Sequence, residues 1–106
     1  MNNDREVIQM TIEKSMNGNT ATLKIAGWLN TQTAPELEAA LGELAPGVDA
    51  LVLELDGLEY ISSAGLRQIV AAYKQLKGVL TLRHVSPEIM NILGMTGLNK
   101  RLNIEP

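Results

Sequence analysis

Apolar and polar residues alternate from Val7 to Glu13, with Ile8, Met10 and Ile12 on one side and Gln9, Thr11 and Glu13 on the other. A period of two predicts a half-buried β-strand. Met16-Asn17-Gly18-Asn19 follows, and Asn-Gly accepts the positive φ angles of a tight reversal. Thr20 to Ala26 is therefore predicted to return antiparallel, with Ala21, Leu23 and Ile25 facing the core. Gly27-Trp28-Leu29-Asn30 reads as a loop, after which the period lengthens to that of a helix. Thr33-Ala34-Pro35-Glu36 fits a capping box, in which the threonine hydroxyl and the glutamate carboxylate satisfy unpaired amides. Leu37, Ala40, Leu41 and Leu44 follow at helical spacing, and Pro46-Gly47 ends the run. Ala50-Leu51-Val52-Leu53 is continuously apolar, the mark of a strand buried on both faces. It is expected to end near Leu55, with Asp56-Gly57 opening a loop.

The second half repeats this grammar. From Ser62 onward, Leu66, Ile69, Val70, Tyr73 and Leu76 share one helical face, and Gly78 sits where a left-handed cap belongs. Val79 to Val85 predicts another strand, with Leu80 and Leu82 inward and His84 as a candidate third member. Strand, helix and strand joined so briefly make a βαβ unit, so the two strands are predicted to lie parallel. Ser86-Pro87 caps a third helix carrying Ile89, Ile92 and Leu93 and closing near Gly97, and a short strand is expected at Leu102 to Ile104. The fold class is α/β: a mixed sheet of four or five strands with about three helices, an N-terminal hairpin leading into parallel βα units.

Length and charge narrow the function classes. The 106 residues suit one domain, with Met1 to Glu6 as a loose polar leader. A net charge of −3 argues against a broad basic face for nucleic acid, and Lys100-Arg101 is too short a basic run to change that. The chain has no cysteine and one histidine, His84, so no metal site and no cofactor is expected. MNNDREV lacks the basic start and apolar run of a secretory signal, and no apolar stretch is long enough to span a bilayer. A cytoplasmic protein without direct membrane insertion is expected.

The candidate chemistry lies in YISSAGLRQIV, residues Tyr60 to Val70, where a central parallel strand gives way to a helix. In open α/β sheets that carboxyl edge is where ligands gather. Ser62 or Ser63 can accept amide hydrogens of the first turn, and this alone accounts for a serine there. The same amides and the helix dipole favour negative charge, so a phosphate on Ser63 is compatible with the helix. A serine hydrolase is not expected: GLEYISSAGL lacks the G-x-S-x-G elbow, and His84, the sole candidate base, is about one strand away. Phosphate-binding glycine motifs are also missing, so no catalytic residue is assigned.

The order hairpin, helix, LVLELDGLEYISSAGLRQIVAAY and VLTLRHVSPEIMNILGMTGL resembles the STAS domain family of sulfate transporters and bacterial anti-sigma factor antagonists, from Val7 to Ile104. Ser62-Ser63-Ala64-Gly65-Leu66 is similar to the family's Ser-Ser-x-Gly-Leu or Asp-Ser-x-Gly-Leu, and SPEIMNILGMTGL to its last helix. The resemblance implies a switch rather than an enzyme. The unmodified protein binds an anti-sigma factor that is also a serine kinase, and the sigma factor is released. Phosphorylation weakens that complex, and a phosphatase restores it. By position the acceptor is Ser63, with Ser62 second. Gly65 allows close backbone approach, Leu66 anchors the helix, and Arg67 is a contact candidate beside its plain reading as a solvated arginine.

Two positions depart from the family pattern: Ser62 stands where many phosphorylated members have Asp, and Asn30 where many have an acidic loop residue. Trp28, next to Asn30, is either a binding anchor or packing at the edge of the core. Met90 and Met95, which bracket Gly94, are read as core filling, with an adaptable apolar surface as the alternative, and Glu36, Glu38 and Glu43 as a solvated helix face. The alternative function is a non-phosphorylated STAS subunit of a lipid or anion transport complex, docking through the same loop.

Overall fold

The structure, a computed structural model, describes residues 9–44, 47–76, 79–100 and 102–106. Five strands and three helices follow one another: β1 (Met10–Asn17), β2 (Thr20–Leu29), α1 (Ala34–Gly42), β3 (Ala50–Ile61), α2 (Ser63–Gln75), β4 (Val79–Arg83), α3 (Pro87–Thr96) and β5 (Asn103–Ile104). The strands lie in the sheet in chain order, β1 antiparallel to β2 and every later pair parallel. The mixed α/β sheet expected from the sequence is the one observed.

Strands added always in one direction through right-handed crossovers place every crossover helix on the same side of the sheet. The burial pattern follows from this. Ala21, Leu23 and Ile25 of β2, Leu51, Leu53 and Leu55 of β3, and Leu80 and Leu82 of β4 are buried under the helices with Leu37, Ile69, Ile89 and Leu93. The intervening Thr22, Val52, Glu54 and Thr81 remain part-exposed, and Lys24 and Arg83 are exposed. The expectation that Ala50 to Leu53 is buried on both faces is therefore corrected: no described element covers the second face.

Several boundaries also move. Val7, Ile8 and the leader lie outside the described residues, and β1 runs past Glu13 to the reversal itself. That reversal is Gly18-Asn19, one residue later than expected, with the positive φ (61°) on Gly18 as a type II′ turn requires. Helix α1 ends at Gly42, before the Pro46-Gly47 stop, whose proline is outside the described residues along with Gly78. Strand β3 does not stop at Leu55 but continues to Ile61 through Asp56-Gly57. Its ladder to β2 skips once between Glu54 and Gly57 and once between Leu58 and Tyr60, so two bulges each insert one extra residue. Accordingly the core positions change spacing, from Leu51, Leu53 and Leu55 to Leu58 and Ile61.

The ends of the later elements are governed by caps. Ser86 Oγ accepts the Ile89 amide (3.2 Å), and α3 closes on Gly97 in the left-handed conformation (φ 78°), as expected. His84 is not a core member of β4. It adopts φ 55°, and this left-handed step turns its exposed side chain away and sends Val85 into the core instead. Tyr73 and Met95 are likewise exposed rather than packed inward, while Met90 is partly buried against the core.

Candidate functional site

The junction of β3 and α2 separates the two serines by role. Ile61 ends β3 inside the core, and the Ser62 amide donates to Leu29 O of the neighbouring strand (2.9 Å). Ser62 keeps extended backbone (φ −98°, ψ 175°), and its Oγ accepts the Gly65 amide at a long 3.4 Å. It is the N-cap, half-buried and occupied. Ser63 is the first helical residue, its side chain exposed and without a hydrogen bond to any described residue. Arg67 follows one turn later, also exposed, and no acidic residue occupies the first turn of α2.

Gly65 is buried, so the close approach it permits is internal. A Cβ there would stand 2.6 Å from Leu29 Cγ and 3.0 Å from Ile61 Cγ1. The hydrogen at this position lets the first turn of α2 rest on the ends of β2 and β3, which fixes where Ser63 is presented. Leu66 packs against the core from the same turn.

The neighbouring β2–α1 connection is organised by Asn30. Its Oδ1 accepts the amides of Gln32 (2.9 Å) and Thr33 (3.1 Å), an Asx turn, and its Nδ2 donates to Gln9 Oε1 (3.3 Å). The expected capping box does not form. Thr33 is 3% exposed, and its hydroxyl donates to Trp28 O (2.7 Å) while accepting the Asn30 amide (2.8 Å), so it is already engaged on the strand side of the helix. Sequence reasoning assigned Thr33 to the helix start; the signal it lacked was the carbonyl of Trp28, three-dimensionally adjacent only after β2 extends to Leu29. Thr33→Val is expected to strip the Asn30 amide of this acceptor and lower stability by about 1–3 kcal/mol. Thermal denaturation tests this, and an unchanged midpoint would show the hydroxyl to be dispensable.

Trp28 is not in a loop. It belongs to β2, paired in register with Tyr60 on β3, and alternation sets both opposite to the buried Leu29 and Ile61. Their rings are 6.0 Å apart at 53°, and they stay 52% and 47% exposed. The predicted contact residues thus divide: Ser63, Arg67 and Asn30 share the carboxyl rim, Gly65 is beneath it, and Trp28 is on the uncovered face. Tyr60 was missed because a single aromatic beside a predicted loop carries no period. His84 is held elsewhere, its Nδ1 2.6 Å from Glu54 Oε1. Among the described residues no cluster of side chains suits a metal ion, and no helix is long and apolar enough to cross a membrane.

Comparison with known proteins agrees with this architecture. BtrV of Bordetella bronchiseptica, provisionally named an anti-sigma factor antagonist, is 36% identical over 77 residues, 69% of this chain and 66% of that protein. The anti-sigma-B factor antagonist of Bacillus subtilis is 28% identical over 100 residues, 92% of each chain. The crystal structure of an anti-sigma factor antagonist from Mycobacterium paratuberculosis superposes with a TM-score of 0.83 at 27% identity, covering 92% of this chain and 86% of that one. The family model described as Mlab, STAS domain matches residues 12–105, from β1 through β5, and by that match the chain belongs to the STAS domain family.

Proposed function

We propose that this protein is an anti-sigma factor antagonist whose rim at the β3–α2 junction binds an anti-sigma factor with serine kinase activity, and that phosphorylation of Ser63 weakens the complex. The named relatives weigh toward this reading over a transport-complex subunit. The observation that carries the choice of residue is the division of labour between the serines: Ser62 caps the helix, so the Ser63 hydroxyl is left exposed at the first helical position.

In the transfer, Ser63 Oγ bonds to the γ-phosphorus of ATP, ADP leaves, and the hydroxyl proton passes to a base on the kinase. The new group brings about −1.5 to −2 charges. It lies beside the first-turn amides and the positive end of the α2 dipole, so the helix tolerates it. A surface matched to a neutral hydroxyl does not, because the partner would have to desolvate an unpaired dianion. Hydrolysis by a phosphatase restores the neutral rim. No step requires catalysis by this chain.

Incubation with the cognate anti-sigma factor and ATP, followed by intact-mass measurement, tests the assignment. The wild type and Ser62→Ala are expected to gain one phosphate, and Ser63→Ala none. A kinase active on another substrate that leaves the wild type unmodified would overturn the switch.

A further inference from the structure

The geometry points to a second interaction surface, on the uncovered face of the sheet, that takes a basic segment of a partner protein. Parallel strands are ordinarily covered on both faces. Here the described residues cover β2, β3 and β4 on one, and at one end of the other face stand two large aromatics, Trp28 and Tyr60, each about half exposed. Their floor is small: Ala26 and Gly57 pair in register beside them, so close that a Cβ on Gly57 would meet Ala26 Cβ at 2.8 Å. Beyond this floor the face opens into a polar depression of about 400 Å³ lined by Glu13, Lys14, Lys24, Glu54, Asp56 and His84 among others.

The charge of this surface selects the occupant. Glu54 is engaged by Arg83 (3.4 Å) and His84 (2.6 Å), and Arg83 also meets Glu105 (3.3 Å). Asp56 and Glu59, both exposed and placed at the two bulges of β3, have no ion-pair partner among the described residues. An aromatic pair, a floor of small residues and two carboxylates without an ion-pair partner among the described residues are complementary to an arginine or lysine side chain laid across Ala26 and Gly57. Its cation faces the ring of Trp28 or Tyr60 and is neutralised by the carboxylates. The bulges create the site: each sets one acidic residue outside the regular ladder without disturbing the buried face. This surface is separate from the Ser63 rim, and the inference does not depend on the phosphorylation switch.

Trp28 is the sole tryptophan, so its emission reports occupancy directly. The probe is an eight-residue peptide of alternating arginine and glycine, with the glutamate–glycine peptide as its counterpart. The basic peptide is expected to change the emission saturably, less so at high salt, and the acidic peptide to leave it unchanged. The double variant Asp56→Asn with Glu59→Gln is expected to weaken binding about five-fold or more, whereas Glu36→Gln with Glu38→Gln, the same charge change on α1, stays within about two-fold. Tyr60→Leu is expected to weaken it about three-fold. Ser63→Asp should leave the titration unchanged, which keeps this surface distinguishable from the rim. Equal losses in both double variants, equal responses to both peptides, a salt-independent response, or an emission change with protein concentration alone would overturn the proposal.

Discussion

Ser63→Asp is expected to bind the anti-sigma partner about 100-fold more weakly than the wild type while folding at least as well. The two halves of this result have one origin. At the first helical position a carboxylate interacts favourably with the helix dipole, worth about 0.3–1 kcal/mol, and the exposed side chain displaces nothing. The same carboxylate, carried into an interface shaped for a hydroxyl, must be desolvated without a counter-charge, at about 2–5 kcal/mol. Ser63→Ala loses neither surface nor neutrality and is expected to bind within a few-fold of wild type. Isothermal titration with the partner, beside thermal denaturation of each variant, separates the terms. Equal affinity of Ser63→Asp and wild type would remove Ser63 from the contact.

Gly27→Ala is expected to cause a large loss of stability, about 3 kcal/mol or more. Two independent penalties meet at this residue. Its φ of 101° is one that side chains rarely adopt, and an added Cβ would collide with Gln9 O, a backbone atom. That oxygen cannot swing aside, because it accepts the Trp28 amide at 2.7 Å. Relief therefore requires moving the start of β1 away from β2. Gly18→Ala supplies the comparison: its φ is 61°, but nothing lies within 4 Å of the added carbon, so only the conformational cost of about 1–2 kcal/mol applies. Chemical denaturation of both variants checks the difference, and equal losses would show that the contact with Gln9 is easily relieved.

The clearest lesson in legibility is β3. Asp56-Gly57 resembles a chain reversal, since both residues favour turns, yet a bulge uses the same residues for the same backbone freedom. The evidence for continuation was in the apolar spacing, which lengthens from two to three at Leu58 and Ile61 without becoming helical. Elements with a full period and a cap at each end, such as α3 between Ser86 and Gly97, were legible at both ends. The β3–α2 junction was legible because a strand period changes to a helix period at the serines. What the sequence hid were relations made only by the fold: the Thr33 hydroxyl turned to Trp28 O, Trp28 set against Tyr60, and the left-handed step at His84. The aromatic pair spans two strands, and the other two are set by the path of the chain where a strand ends, which carries no period.

The strand order has a consequence for how the molecule is made. Thr20 and Ala50 are thirty positions apart in the chain, Ala50 and Val79 twenty-nine, and Thr81 and Asn103 twenty-two, so no pairing waits for a distant segment. Loop-closure entropy is then nearly the same for each crossover. Mid-range contact order of this kind is associated with folding faster than that of β-sandwiches. A nascent chain synthesised only as far as β4 already holds both neighbours of β2 and of β3, and the sheet is expected to grow one strand at a time from the N-terminal hairpin as synthesis proceeds.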